Sequence, residues 1–506
     1  LEKMAAGGMY DHVGGGFHRY STDREWLVPH FEKMLYDNAQ LVTAYLDAYQ
    51  VTQNPEFARV AREVLDEVGR EMTAESGGFY SATDADSLTP EGHQDEGYFF
   101  TWTHGELEHA LGPTVARAFG RYYGVSPEGN FEGRNVLFTP EPLAEVAREL
   151  GVPVAVLVAD LARARQKLYA LRQERPRPGL DDKILTAWNG LMISAFARGA
   201  WVLDDDGYRR RAQAAADFLL ARVRDDRGRL LRSFNEGKAR HNGFLDDYAF
   251  LIQGLLDLYE ASFEPRYLSE AIALEAIVDA HFADEEQGGY FMTADDHEKL
   301  LVRDKPAYDG AEPSGNSVTA LNLLRLSEFS SEPRYRARAE ALFVAFLPVL
   351  TRGGSGAPKM LAALDFYLDE AKEILIVGVG GDASALANVV RQTYVPNRVF
   401  SFARDEKERR AQAEVLKLLE DKEPSAHEAT AFVCEHNHCE LPTSEVSVFA
   451  RQLAKAAPYP GAKLAPLPVR EVGRQPKPWQ YDPVSDRHWH PGHGHWHEGP
   501  PPAERE

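Results

Sequence analysis

Asp11–Gln40, DHVGGGFHRYSTDREWLVPHFEKMLYDNAQ, runs from a glycine-rich turn through a loop dense in His, Arg and Trp into a helix with Asp and Asn on its first turn. Gly14, Gly15 and Gly16 permit torsions and close approaches that a β-carbon forbids. His12, His18, Arg19, Trp26 and His30 put hydrogen-bonding and stacking groups on the same loop. From Phe31 the period becomes helical. Phe31, Met34, Leu35, Val42, Tyr45, Leu46 and Tyr49 form an apolar stripe, and Asn38 stands inside it where a core helix wants Leu. The stretch reads as the rim of a site leading into a buried helix. The plainer alternative is a solvated turn followed by a helix whose Asn is satisfied locally.

The helix after the rim belongs to a repeat. NPEFARVARE (54–63), DDGYRRRAQA (205–214), EPRYLSEAIA (264–273) and EPRYRARAEA (332–341) each give a turn, an aromatic residue and an amphipathic helix. A period near 60 residues accommodates two helices and two long connections, so each repeat is predicted to be a helical hairpin. Of the partner segments, Asn189–Leu203 and Asp246–Tyr259 are apolar nearly all round, as inner helices should be, while the repeat helices near Tyr208 and Tyr267 carry charged outer faces; Asp37–Ala48 and Asn316–Leu326 complete the inner set. If the hairpins stack in register, Asp37, Asn38, Trp188, Asn189, Asp246, Asp247, Glu312 and Asn316 gather at one mouth. Helix capping alone would also explain Asp and Asn at such positions. The loops GGFYSATDADS (77–87) and GGYFMTADDHE (288–298) share a double Gly, two aromatics and an acidic end, so they are predicted to be equivalent. Aromatic faces beside carboxylates suit a sugar ring, which has an apolar side and hydroxyls in need of acceptors.

Between 98 and 180 the repeat is interrupted. GYFFTW (97–102) alternates like a short strand, GELEHALGPTVARAFGRYYG (105–124) is helical, EGNFEGRNVLF (128–138) is a loop returning to the mouth, and Val154–Gln173 is another amphipathic helix. His104 and His109 are five apart, off a common helical face, and predict no metal site. After Gly353, MLAALDFYL (360–368) is an apolar helix that closes the bundle, and KEILIVGVGGDASALANVVRQTYVPNRVFSF (372–402) reads as strand, turn, helix and strand. Its G-x-G-G-D lacks dinucleotide-fingerprint spacing, so a small α/β lobe without a nucleotide is expected. AFVCEHNHC (431–439) holds Cys434 and Cys439 with two His, which could bind a metal or form a strained local disulfide; the spacing matches no zinc module, and no metal site is expected there. The tail from Pro466 is rich in Pro, Gly and His, including His488, His490, His493, His495 and His497, and is expected to be disordered.

The composition excludes several classes. With 78 acidic and 56 basic residues the net charge of −22 disfavours nucleic acid and anionic lipid as partners. No apolar run approaches the roughly 18 residues of a membrane span. Two cysteines among 506 residues exclude a disulfide framework and point to a reducing, cytoplasmic setting.

GGGFHRYSTDREWLVPHFEKMLYDNAQL (14–41) resembles the signature of the YyaL-type thioredoxin-domain proteins, the spermatogenesis-associated protein 20 family. TDADS (83–87), GYFFTW (97–102), YYGVSPEGNFEGRNVL (122–137), DDKILTAWNGLMISA (181–195), FLDDYAF (244–250) and EPSGNS (312–317) extend the resemblance over most of residues 1–445. It implies a mainly α fold, a six-hairpin (α/α) toroid resembling six-hairpin glycosidases, over 1–368. A small α/β lobe over 369–465 and the tail over 466–506 complete the expected organisation. It also implies a thioredoxin-like domain on the N-terminal side of this piece, since no thioredoxin-like C-x-x-C occurs here. Toroids of that class include glycoside hydrolases, unsaturated-uronyl hydrolases and N-acylglucosamine 2-epimerase-like isomerases, so fold does not select a reaction.

The function expected is a carbohydrate-active enzyme without a cofactor, taking a small-molecule or oligosaccharide substrate; a non-catalytic glycan- or protein-binding module is the alternative. Hydrolysis needs a carboxylic acid and a carboxylate base or nucleophile. Asp84 is the candidate acid and Asp247 the candidate base, with Asp37, Asp86, Asp246 and Glu312 as substitutes. Asp246 would then serve as the helix cap while Asp247 faces the cavity. Epimerisation would use a His pair, for which His18 and His30 are the candidates. His18, Arg19, Trp26, Asn38, Trp188, Asn189, Tyr248 and Asn316 complete the expected substrate contacts.

Overall fold

The computed structural model describes residues 1–299, 301–378, 381–424, 428–435 and 438–455, and three short strands between 481 and 498. All four repeats are antiparallel hairpins. The inner helices Leu35–Thr52, Thr186–Val202, Leu245–Ser262 and Gly315–Ser330 are followed by the outer helices Pro55–Glu71, Asp206–Arg222, Pro265–His281 and Pro333–Ala345. Each turn between them contains one left-handed non-glycine residue, Gln53, Asp204, Phe263 or Ser331, with φ between 54° and 59°. Three of the outer helices open with Pro, whose fixed φ and missing N–H suit the first helical position.

The inner helices are buried on nearly every side, because each touches two inner neighbours and its own outer partner. In Thr186–Val202 every residue from Thr186 to Ala197 except Trp188 is buried. This helix crosses Leu245–Ser262 backbone to backbone: a β-carbon on Gly190 would sit 2.4 Å from the Phe250 carbonyl carbon, and one on Gly254 2.6 Å from the Gly190 oxygen. Both glycines are there to let the helices approach. A fifth inner helix, Pro358–Leu368, joins the other four around a common axial cavity. Four hairpins and the fifth inner helix make a mainly helical toroid with small sheets, the fold class expected.

The toroid is stitched together by a recurrent side-chain clamp at the start of the inner helices. Asn38 accepts from Phe17 N (2.8 Å) and donates to Phe17 O (3.0 Å). Asn189 does the same to Phe79 at 2.7 and 2.9 Å, and Asn316 to Tyr290 at 2.9 and 2.9 Å. At the corresponding place in the third inner helix, the Tyr248 hydroxyl accepts from Leu230 N at 2.9 Å. Phe17, Phe79, Leu230 and Tyr290 each close a short antiparallel bridge, with Tyr10, Thr73, Arg224 and Ala283. The two double-Gly loops are therefore equivalent. Their glycines Gly77 and Gly288 have positive φ and lie against Ala214 O and Ala341 O of the next outer helix, where a side chain would collide.

The interrupting segment packs as helices His104–Leu111, Pro113–Tyr122, Leu143–Leu150 and Val154–Arg172 around its own apolar cluster. GYFFTW is not a strand. Gly97 (φ 73°) reverses the chain, Phe100 N and Thr101 N both donate to Gly97 O at 3.0 Å, and only Trp102 forms a bridge, to Asn135. Alternation fails because the successive rings Phe99 and Phe100 both pack on the Arg172 guanidinium.

The lobe is a four-stranded sheet in the order Arg398–Ala403, Lys372–Val377, Thr430–Glu435, His438–Cys439. The first pair is parallel and the helix Gly381–Gln392 crosses between them; the others are antiparallel. It sits on the C-terminal ends of the inner helices: Trp201 and Phe263 pack on Phe400, and the Tyr259 hydroxyl reaches Ser401 Oγ (3.0 Å) and Gln412 Oε1 (2.8 Å). Residues 1–457 accordingly form one compact unit in which the lobe is not a separate body. Cys434 and Cys439, in register across the last two strands, form a local disulfide; His436 between them lies outside the described residues. Within the tail, Tyr481–Asp482, Arg487–His490 and His495–Glu498 pair as antiparallel strands, with residue 489 in register with 496; the rest of the stretch expected to be disordered lies outside the described residues. Among the described residues no helix is long and apolar enough to cross a membrane.

Candidate functional site

The first turns of the inner helices meet at one face of the toroid. Trp188 of the second inner helix packs edge-on against Tyr36 of the first, centroids 4.8 Å apart. Its indole N–H donates to Glu312 Oε2 at 2.8 Å, just ahead of the fourth inner helix. Gln40 ties the first helix to the same loop through Ala311 O (2.8 Å). Glu312 lies between two further carboxyls from other parts of the chain: its charge acts on Asp37, and the charge of Asp246 acts on it.

Burial dominates the electrostatics. Desolvation pushes the Asp37 carboxyl up to about 7, with Glu312 adding to the rise and Arg19 opposing it. Asp246 is raised to about 6 by burial, against the Gly315 amide and Arg232. Glu312 is also raised by burial, against its Trp188 hydrogen bond. Asp37 Oδ2 and Asp246 Oδ1 are both buried without a hydrogen-bond partner. A buried carboxyl oxygen left unpaired costs free energy and favours the protonated form. Each of these carboxyls thus keeps one oxygen without a hydrogen bond among the described residues, Asp246 although the Gly315 amide also acts on it.

Asp247 and Asp246 exchange the roles expected of them. Asp247 is fully buried; Oδ2 accepts from Phe244 N (2.8 Å) and Oδ1 from Ala187 N (3.0 Å), and Arg232 stands 3.3 Å away. It fastens the third inner helix to the second. The i+3 spacing from Phe244 lets the second acid of the pair reach back to the chain entering the helix, leaving the first turned to the mouth. Burial raises Asp247 to about 7, but its oxygens are engaged. Asp84, the expected acid, is exposed: its backbone N–H donates to Gly179 O (2.7 Å) and its carboxylate accepts from Asp86 N (3.3 Å). The burial that acts on Asp37 is absent there.

Asp86 is exposed as well, raised by what burial it has and by Asp84 and Glu96. It belongs to an outer stretch of the rim in which His30 bridges Glu96 (2.7 Å) and Glu32 (3.1 Å), and Arg19 bonds Glu32 at 2.8 Å. Arg19 links this stretch to Tyr36 and Asp37. His18 is not a partner for His30. It is buried against Phe31 and Phe100, bonds Phe31 O through Nδ1 (2.9 Å), and is held down to about 3 by burial. Trp26, in a left-handed turn (φ 63°), packs against Gly7 at the foot of the loop. Asn38, Asn189, Asn316 and Tyr248 are the clamps described above, their polar groups bonded to backbone instead of facing a ligand. Arg232 and Tyr36 are the mouth residues that sequence reasoning missed. Arg232 comes from a strand, Leu231–Asn235, that carries no helical signal; Tyr36 sits beside Asp37 and lies outside the apolar stripe that marks the helix in the sequence.

The chain is 39% identical over 482 residues to human spermatogenesis-associated protein 20, covering 88% of this chain and 61% of that protein. It is 38% identical over 477 residues to the mouse protein of that name (88% and 60%), and 32% identical over 469 residues to an uncharacterized protein of Caenorhabditis elegans (86% and 63%). It thus spans about three fifths of the length of the curated relatives it matches. No family model matches it. Among solved structures, cellobiose 2-epimerase from Spirochaeta thermophila aligns with TM-score 0.35 at 14% identity (69% of this chain, 85% of that one). Unsaturated glucuronyl hydrolase from Bacillus sp. GL1 aligns with TM-score 0.33 at 15% identity (69% and 66%).

Proposed function

Starting from a chain homologous over 88% of its length to the spermatogenesis-associated protein 20 family, we propose that the mouth of its toroid is an acid–base site for a sugar, cleaving a glycosidic bond. The observation that carries this reading is the pair Asp37 and Asp246: two carboxyls on different inner helices, each with a buried oxygen lacking a partner, on either side of Glu312 and beside an indole. Asp37, pushed up to about 7, keeps its proton near neutrality and is the general acid; Asp246, at about 6, gives it up first and is the base. The ring lies against Trp188 and Tyr36 and its hydroxyls bond Glu312 and Arg19. Carboxylate chemistry is favoured over epimerisation by a His pair because His18 is sealed in an aromatic core with its ring bonded to Phe31 O.

Turnover on a panel of oligosaccharides and free N-acyl sugars tests the reading. Wild type should release reducing ends from at least one oligosaccharide, and Asp37→Asn should lose roughly a hundredfold or more in rate. Glycan binding without turnover by wild type would instead make the mouth a binding module, of the kind expected to accompany a thioredoxin-like domain.

A further inference from the structure

A second polar cavity lies on the toroid axis, running from the middle of the inner helices, at Thr43, Ser194 and Gln253, toward their C-terminal ends, at Gln50 and Glu260. Asp246 at the mouth and Glu260 at this cavity are 14 residues apart on one helix, about 21 Å at 1.5 Å per residue. The space is about 390 Å³, enclosed by the five inner helices and by Tyr394–Arg398 of the lobe. It is lined by charge, most of it paired. Asp47 bonds Arg198; Arg325 holds Asp257 at 2.8 Å and Glu260 at 3.0 Å; Asp365 accepts from Asn397 at 2.9 Å.

Three groups are left over. The Lys359 ammonium makes no ion pair or hydrogen bond among the described residues, although Asp257, Asp47, Arg198 and Arg325 all act on it through space. Arg398 Nη1 forms only a long ion pair with Glu260, at 3.6 Å, and has no hydrogen bond among the described residues. Gln253 Oε1 is a buried acceptor without a donor. Two donors that carry positive charge and one neutral acceptor facing the same space are complementary to a molecule with one anionic group and at least one hydroxyl. We propose that this cavity binds a small hydroxylated oxyanion, its carboxylate or phosphate received by Lys359 and Arg398 and a hydroxyl by Gln253. The volume suits a molecule of monosaccharide size. Burial lowers Lys359 to about 8, Arg198 and Arg325 adding to the fall and Asp257 and Asp47 opposing it. An arriving anion gives Lys359 the direct ion pair it lacks among the described residues, so affinity falls as pH rises above 8. This site is independent of the chemistry assigned to the mouth.

The test is calorimetric titration of the full chain with gluconate, glucose 6-phosphate and inorganic phosphate, with glucose as the uncharged control. Saturable binding of at least one anion, and none of glucose, is expected. Gluconate alone identifies a carboxylate site, glucose 6-phosphate or inorganic phosphate alone a phosphate site. Lys359→Met and Arg398→Gln should each weaken binding at least tenfold, and Asp37→Asn, at the mouth, should leave it unchanged. Should either cavity variant fail to fold, the wild type itself must bind at least tenfold more weakly at pH 9.5 than at pH 7. No saturable binding of any of the three anions, binding that survives both cavity substitutions, or loss of binding in Asp37→Asn would overturn the proposal.

Discussion

At the scale of single residues, the mouth is defined by which carboxyls the fold leaves unpaired. Asp246 and Asp247 are adjacent and chemically identical, yet Asp247 accepts two backbone amides while one oxygen of Asp246 has no partner. This division sets the pH dependence. A base at about 6 and an acid at about 7 give a narrow bell in kcat/KM, with limbs near those values that belong to the coupled Asp37–Glu312–Asp246 group. Asp37→Asn should abolish the alkaline limb along with the activity. It should also stabilise the protein at high pH. The folded-state value of Asp37 is raised above the unfolded one, so its contribution is intact below about 4 and is lost as pH rises through about 7. Removing the charge should gain on the order of 2 kcal/mol at pH 8 and little at pH 4, read by denaturant unfolding at the two pH values. A variant less stable than wild type at pH 8 would show that Asp37 is ionised and well solvated.

At the scale of elements, the hairpins are positioned by the Asn clamps and by packing between outer helices. Asn316→Ala leaves the buried N–H and C=O of Tyr290 without partners, which should cost about 2–4 kcal/mol. Asn316→Asp, which keeps the acceptor for Tyr290 N–H and loses both donors, should be destabilised as well; chemical unfolding measures both. A neutral result would mean that the clamp follows the packing and does not hold it. Between the third and fourth outer helices, Glu275 is fully buried with both carboxyl oxygens unpaired, and burial followed by Asp279 raises it well above the ordinary glutamate value. The folded state keeps this proton where the unfolded chain has lost it. Stability therefore falls by about 1.4 kcal/mol per pH unit from the unfolded value upward until the folded value is reached. Glu275→Met should raise the melting temperature at pH 8 and not at pH 4; equal shifts at both would point to packing alone.

At the scale of the whole molecule, toroid and lobe share an apolar seam in which Trp201 and Phe263 meet Phe400, beside the buried Tyr259–Ser401–Gln412 network. Residues 1–457 should consequently melt as one cooperative unit. Trp201→Ala should lower that single transition, with a cost of about 3–5 kcal/mol. Two resolved transitions in scanning calorimetry of the wild type would show instead that the lobe folds by itself.

The repeats, the inner and outer character of their helices and the equivalence of the two double-Gly loops were legible in the sequence. Periodicity and turn chemistry are local, and a helix buried on all sides must be apolar on all sides. That Asp37, Trp188, Asp246 and Glu312 share a mouth was legible too, because stacking hairpins in register puts the starts of all inner helices on one face. What each of them does there was not. Whether Asn38 meets a ligand or Phe17, whether Asp246 or Asp247 caps, and whether Asp84 is sheltered depend on where backbone amides from distant loops arrive. Burial and hydrogen-bond satisfaction are properties of that arrival, so the tertiary structure alone decided, among the described residues, which carboxyls kept an oxygen without a hydrogen bond and which donors of the axial cavity kept spare capacity.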